Sequence, residues 1–251
     1  MPIFDFMDYL KSGLRLNMAV AIDFTGSNGM PSSEQSLHYL GNPPNQYQKV
    51  AKSIWDIIEN YDTDKRIPAF GFGAKPHFPN INQNTANHCF PINDNHQNPE
   101  VQGFGDLMNC YTQAINNMEF AGPTYFAPVL EQAFSQAKSL TNSYSYQILL
   151  ILTDGAIHDM PATKEVIVRN ANLPLSIIIV GIGNADFGAM EELDGDKNGL
   201  TSPTGQRCPR DIIQFVPFNK YNGNQQALSA ELLREVPKQV SQYFVKNFFD
   251  I

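Results

Sequence analysis

Short apolar runs alternate with helically spaced apolar positions along most of the chain. Residues 18–24 form the first run and carry Asp23 near its end. Residues 67–72, 146–153, 175–181 and 212–218 form four more. Near-continuous apolar runs are expected of parallel strands covered on both faces. Between them, Tyr47, Val50, Ala51, Ile54, Trp55, Ile58 and Tyr61 recur at helical spacing. Two further sets do the same: Leu107, Tyr111, Ala114, Ile115 and Met118, then Phe126, Val129, Leu130, Ala133, Phe134 and Ala137. Each predicts a helix with one buried face. Residues 160–171 read as helical, and Leu228, Leu232, Val236, Val240, Tyr243 and Phe244 predict one long closing helix. The stretch 75–99 is rich in Asn, Pro and His and reads as loops with an edge strand near 88–92.

Strands separated by helices predict an α/β fold of the open, doubly wound kind, with a mainly parallel sheet flanked by helices. No internal repeat or long linker interrupts residues 1–251, so one domain is expected. Ligands of such sheets bind beyond the carboxyl ends of the strands, where the strand order reverses. In the common order the first and fourth parallel strands are neighbours there. The runs ending at Asp23 and Asp154 are taken as that pair.

Composition narrows the function. The chain has 251 residues, 42% apolar, enough for a sizeable core. Its net charge of -8, with no Lys/Arg cluster, argues against nonspecific binding to nucleic acid or anionic lipid. Three scattered cysteines, Cys89, Cys110 and Cys208, predict free thiols in a reducing, cytoplasmic setting. The apolar runs are too short to span a bilayer, and the N-terminus lacks the pattern of a secretory signal.

Five separated residues look like one ligand set. Asp23, Thr25 and Ser27 follow the first strand, Thr124 lies in Gly-Pro-Thr-Tyr-Phe, and Asp154 follows Leu-Leu-Ile-Leu-Thr. All five offer oxygen, which suits a hard cation such as Mg2+, with Mn2+ or Ca2+ as alternatives. Each residue also has a plainer reading: Asp23 as a turn cap, Thr124 as the N-cap of the helix after it, Asp154-Gly155 as a turn. It is the combination that points to a metal. Asp194-Gly-Asp-Lys-Asn-Gly resembles the start of a calcium loop, but its twelfth position is Gly205, so a polar turn is expected. Gly71-Phe-Gly73 and Gly181-Ile-Gly183 do not complete a dinucleotide motif. His158 follows Asp154 closely and is expected as a solvent-facing loop residue. A hydrolase triad of Ser27, His158 and Asp154 lacks the Gly-x-Ser-x-Gly elbow.

The five residues resemble the metal-ion-dependent adhesion site (MIDAS) of von Willebrand factor A domains: Asp-x-Ser/Thr-x-Ser, then Thr, then Asp at a strand end. Longer strings resemble the A domain of copines: Ala-Ile-Asp-Phe-Thr-Gly-Ser-Asn-Gly, Gly-Pro-Thr-Tyr-Phe-Ala-Pro, Ile-Val-Gly-Ile-Gly-Asn-Ala-Asp-Phe and Arg-Asp-Ile-Ile-Gln-Phe-Val-Pro-Phe. The match runs from about residue 5 to residue 247. Related plant ubiquitin ligases share Asp-Phe-Thr and Gly-Phe-Gly but lack Gly-Asn-Ala-Asp-Phe and the Leu-Asp-Gly-Asp that starts at Leu193 here.

The resemblance implies a Rossmann-like vWA fold and a partner-binding module. It implies Thr25, Ser27 and sometimes Thr124 as direct metal ligands, with Asp23 and Asp154 acting through water. A protein ligand would donate an Asp or Glu carboxylate. Copines normally carry two calcium-dependent lipid-binding β-sandwich domains before this one. The chain lacks them, so phospholipid binding and recruitment to membranes are expected only of the full-length protein. The enzymatic alternative is a Mg2+-dependent phosphatase or phosphotransferase with Asp23 as nucleophile. Such enzymes carry a second Asp where this chain has Thr25, which weighs against it.

Overall fold

The computed structural model describes residues 5–248 except 63, 196–198 and 222–223. In chain order the elements are α1 (Phe6–Lys11), β1 (Arg15–Asp23), α2 (Gln46–Ile58), β2 (Arg66–Phe72), β3 (Ala74–Pro76), β4 (Phe90–Pro91) and β5 (Glu100–Gln102). Then come α3 (Gly103–Asn116), β6 (Met118–Phe120), α4 (Ala127–Ser139), β7 (Ser145–Thr153), α5 (Met160–Asn170) and β8 (Leu175–Gly181). The chain closes with α6 (Gly188–Asp194), β9 (Ile213–Pro217), α7 (Gln225–Leu232) and α8 (Val236–Phe248). The five expected parallel strands form one sheet in the order β2-β1-β7-β8-β9. Both β4 and β5 add to β2 antiparallel, β4 where the edge strand was expected. A separate two-stranded ribbon pairs β3 with β6.

β1 and β7 are neighbours, as expected, but β7 is the third parallel strand and not the fourth. The chain moves from β1 to one side for β2, then crosses to the other for β7, β8 and β9. The order therefore reverses between β1 and β7. Their register pairs Ile22 with Leu152, which brings the ends carrying Asp23 and Asp154 together.

Alternation along these strands sorts side chains to two cores, because successive Cβ atoms point to opposite faces. Met18, Val20 and Ile22, with Ile148, Leu150 and Leu152, pack under the side holding α1, α2, α3, α7 and α8. Ala19 and Ala21, with Leu149 and Ile151, pack under α4, α5 and α6. Trp55, Phe126 and Phe134 are core residues, as expected.

The closing segment departs from the single helix expected. It breaks at residues 233–235 into α7 and α8. Pro237 lacks an N–H and cannot continue the ladder of the preceding turn. Buried Gln214 of β9 bridges the break. Its amide donates to the Glu231 carbonyl, and its carbonyl accepts from the Glu235 N–H. Arg210, an isolated cation by sequence, is buried below α8. Its guanidinium donates to the carbonyls of Ala171, Leu173, Leu175 and Gln239 and to the Tyr146 hydroxyl, at 2.7–3.2 Å. Removing it breaks five hydrogen bonds at once. Arg210→Met is expected to lower the unfolding free energy by about 3 kcal/mol or more in urea denaturation, since each hydrogen bond from a charged group contributes ~1.5–3 kcal/mol.

Candidate functional site

The site grows from the end of β1. Asp23 is its last residue and is fully buried. The chain then turns sharply, because Asp23 Oδ1 accepts both the Thr25 N–H (2.9 Å) and the Thr25 hydroxyl (2.6 Å). A short polar side chain bonding two residues ahead is the usual device for such a turn. A 3-10 turn, Gly26–Asn28, follows and presents Ser27 to solvent. Ser27 Oγ lies 3.0 Å from Thr25 Oγ1. From β7, the Thr153 hydroxyl donates to Asp23 Oδ2 at 2.7 Å. Asp154 follows at once and is almost wholly buried. Asp23, Thr25, Ser27 and Asp154 therefore gather at the switch point, where Ser27 and Asp154 line a crevice of about 500 Å3 with Gln46, Asn184 and Asp186.

Thr124 reaches this region differently. Its loop is joined to the turn through the Ala121 carbonyl, which accepts the Gly26 N–H at 2.6 Å. Thr124 N–H donates to His158 Nδ1 at 3.1 Å, and its carbonyl accepts the His158 N–H at 2.9 Å. The expected role as a helix N-cap is not borne out. The first amides of α4, at Phe126 and Ala127, are instead held by the two oxygens of Asp159 at 3.0 and 2.9 Å. His158 is exposed, as expected, but Nδ1 serves the Thr124 backbone and not Ser27, so no triad forms. Residues 196–198 of the calcium-loop-like stretch lie outside the described residues, while Asp194 Oδ1 accepts the Phe215 N–H.

Two acids sit close in a dry place. Burial, and then the charge of Asp154, push Asp23 up to about 7. Burial also raises Asp154, with the Ser27 hydroxyl opposing. Asp154 Oδ1 is buried and has no hydrogen-bond partner among the described residues. Among the described residues no cluster of three or more His, Cys, Asp or Glu occurs. The chemistry here is thus two carboxylates with hydroxyls, an all-oxygen set whose crowded charge and orphaned oxygen fit a hard divalent cation.

Several supports were not legible beforehand. His38 is fully buried, with Nε2 2.7 Å from the Asp23 carbonyl oxygen and Nδ1 2.7 Å from Tyr111 Oη. Burial lowers it to about 3, so the ring is neutral. Tyr47 donates to Asn28 Oδ1 at 2.6 Å, locking the turn. Gly73 takes φ +77, and a Cβ there would lie 2.2 Å from Thr25 Cγ2. The glycine half-motif at 71–73 is therefore room for the Thr25 methyl. The cue for Thr153 was present: it stands opposite Asp23 once the strands pair in parallel register.

A family model described as Copine matches residues 36–250. The chain belongs to the copine family. Thr124 and Asp154 lie inside the matched span, while Asp23, Thr25 and Ser27 precede it. Among solved structures, the chain is similar to a manganese-loaded TRAP protein from Plasmodium vivax, with 12% identity and a TM-score of 0.51, covering 91% of this chain and 74% of that one. It is similar also to the SpRpn10 VWA domain, with 13% identity and a TM-score of 0.51, covering 81% of this copine chain and 87% of that one. These likenesses show a Rossmann-like vWA fold. No helix among the described residues is long and apolar enough to cross a membrane.

The raised acid makes stability depend on pH. An Asp at about 7 in the fold, against 3.8 ordinarily, keeps its proton where the unfolded chain has lost it. Its contribution therefore falls as pH rises across that window. His38 acts oppositely, losing stability as pH falls from 6.5 towards about 3. Asp23→Asn removes the first effect and leaves the second, at the cost of one acceptor for the Thr25 or Thr153 hydroxyl. In chelator, circular-dichroism melts at pH 8 should place this variant on the order of 3 °C or more above wild type, with the gap shrinking at pH 5.

Proposed function

We propose that this copine chain is one vWA-type domain acting as a metal-dependent protein-binding module. Asp23, Thr25, Ser27, Thr124 and Asp154 hold one divalent cation, Mg2+ or else Mn2+ or Ca2+, and a partner protein completes the site with an Asp or Glu carboxylate. When bound, the cation supplies Lewis-acid coordination and neutralises the paired acids. The observation that carries this reading is the unpartnered, buried Asp154 Oδ1 beside Asp23 at adjacent strand ends. In this reading Thr25 and Ser27 present hydroxyl oxygens directly, Asp23 and Asp154 supply charge and orient water, and Thr124 contributes from its separate loop. The manganese carried by the TRAP neighbour is in keeping with such a site on this fold. Lipid binding and membrane recruitment belong, on this view, to β-sandwich domains outside this chain, with the domain itself working in the cytoplasm.

A phosphatase reading has less support. Asp23 has no exposed surface to meet a phosphate ester, and Thr25 stands where such enzymes carry their second Asp.

Metal that binds only the folded state raises the melting temperature by mass action, with about 2.7 kcal/mol of stabilisation at a hundredfold excess over Kd. Millimolar Mn2+ or Mg2+ should raise the melting temperature of the wild type by several degrees and leave Ser27→Ala and Asp23→Ala unmoved. An unchanged wild type would refute the metal site. Release of p-nitrophenol from its phosphate ester, lost in Asp23→Asn, would instead establish the enzyme.

A further inference from the structure

A second site lies apart from the aspartates. A cavity of about 500 Å3 opens between α2, the start of α3, the 3-10 turn Phe218–Tyr221 and α7. Phe104 and Met108 of α3, Phe218, and Leu228 of α7 give it apolar walls. Its volume falls within the ~300–1,000 Å3 of small-molecule sites. The chain carries 25 acidic and 17 basic residues. Even so, among the described residues the charged ones lining this cavity are Lys49 and Lys52, and no acid does.

The two lysines are three apart on α2 and share a face. Lys52 stands 5.6 Å from the Phe104 ring centroid and pairs with Asp56. Lys49 is exposed, and none of the ion pairs among the described residues includes it. The Ser53 hydroxyl is committed to the Lys49 carbonyl at 2.9 Å. Lys49, exposed and outside those ion pairs, therefore lines a recess whose walls are mainly apolar. A neutral apolar occupant leaves that charge unanswered, whereas an acid with an apolar tail satisfies both.

We propose that this cavity binds a small amphipathic carboxylate of the medium-chain fatty acid class. The tail lies against Phe104, Met108, Phe218 and Leu228, and the carboxylate meets Lys49. The metal site plays no part in it.

Isothermal titration of the whole chain with decanoate, and with decanol as a neutral probe, tests this. One saturable site is expected, with decanoate at least tenfold tighter than decanol. Lys49→Glu, on an exposed side chain, should weaken decanoate tenfold or more and leave decanol unchanged. Met108→Trp, which fills the recess, should abolish both, and Asp23→Ala should change neither. Absence of saturable binding, equal affinity for decanol, or indifference to Lys49→Glu would overturn the proposal. So would a dimer, seen by sedimentation, that Met108→Trp disperses while decanoate fails to bind, because the recess would then belong to a second copy.

Discussion

Two acids are forced together in a dry place by the hydrogen-bond ladder between β1 and β7. The register that pairs Ile22 with Leu152 sets Asp23 beside Thr153 and leaves Asp154 a step beyond. Moving either carboxylate away would require a slip of the central strand pair, which would turn every apolar side chain to the wrong core. The electrostatic strain is therefore held in place by hydrophobic packing on both faces of the sheet. Hydroxyls of Thr25 and Thr153 ease it at Asp23. At Asp154 Oδ1 nothing does. A fold tolerates a buried carboxylate oxygen left without a donor mainly where the acid has a task, because burying a polar group unpaired is costly.

The surroundings are built to keep that strain from relaxing. His38, neutral and fully buried, ties the Asp23 carbonyl oxygen to Tyr111 Oη, and its ring stacks on Phe24 and Tyr47. Tyr47 in turn fixes Asn28, whose amide holds the Thr25 carbonyl at 3.2 Å. Every link joins a donor to an acceptor, so the network is rigid at little cost, whereas a half-satisfied one would be a liability. Gly73 supplies the missing volume. Without it the Thr25 methyl would meet a side chain and the hydroxyl pair would shift.

The five parallel strands and most of the longer helices were legible because burial leaves a strong apolar signature, whereas the short strands β3, β5 and β6 were not, and Met118, expected in the helix, begins β6. The gathering of Asp23 with Asp154 was legible too, since strand ends at a reversal of order share one crevice. What escaped was set by tertiary contact. Pro237 and the Gln214 bridge broke a helix whose apolar periodicity runs through the break. Asp159 displaced Thr124 as the cap of α4 because it approaches from another loop, which no local pattern announces. His38 looked idle because its partners are a carbonyl and a distant tyrosine. Arg210 looked solitary because its partners are backbone oxygens, invisible to charge patterning.

The direction of the protons at the site explains why hydroxyls and acids are combined there. Thr25 donates its hydroxyl proton to Asp23 Oδ1, and Thr153 donates to Asp23 Oδ2. A hydroxyl whose proton is directed at a carboxylate keeps its lone pairs for something else, and hydrogen bonding to a charged acceptor is the stronger kind. Asp23 thus orients the Thr25 oxygen so that it offers electron density away from the acid, towards Ser27 and the crevice. Its own charge is felt there without its oxygens being exposed. Thr124 stands outside this chain of donors, anchored by its backbone to His158. Its position is accordingly set by a loop, while Asp23, Thr25, Ser27 and Asp154 are placed by strand ends and the turn that follows β1.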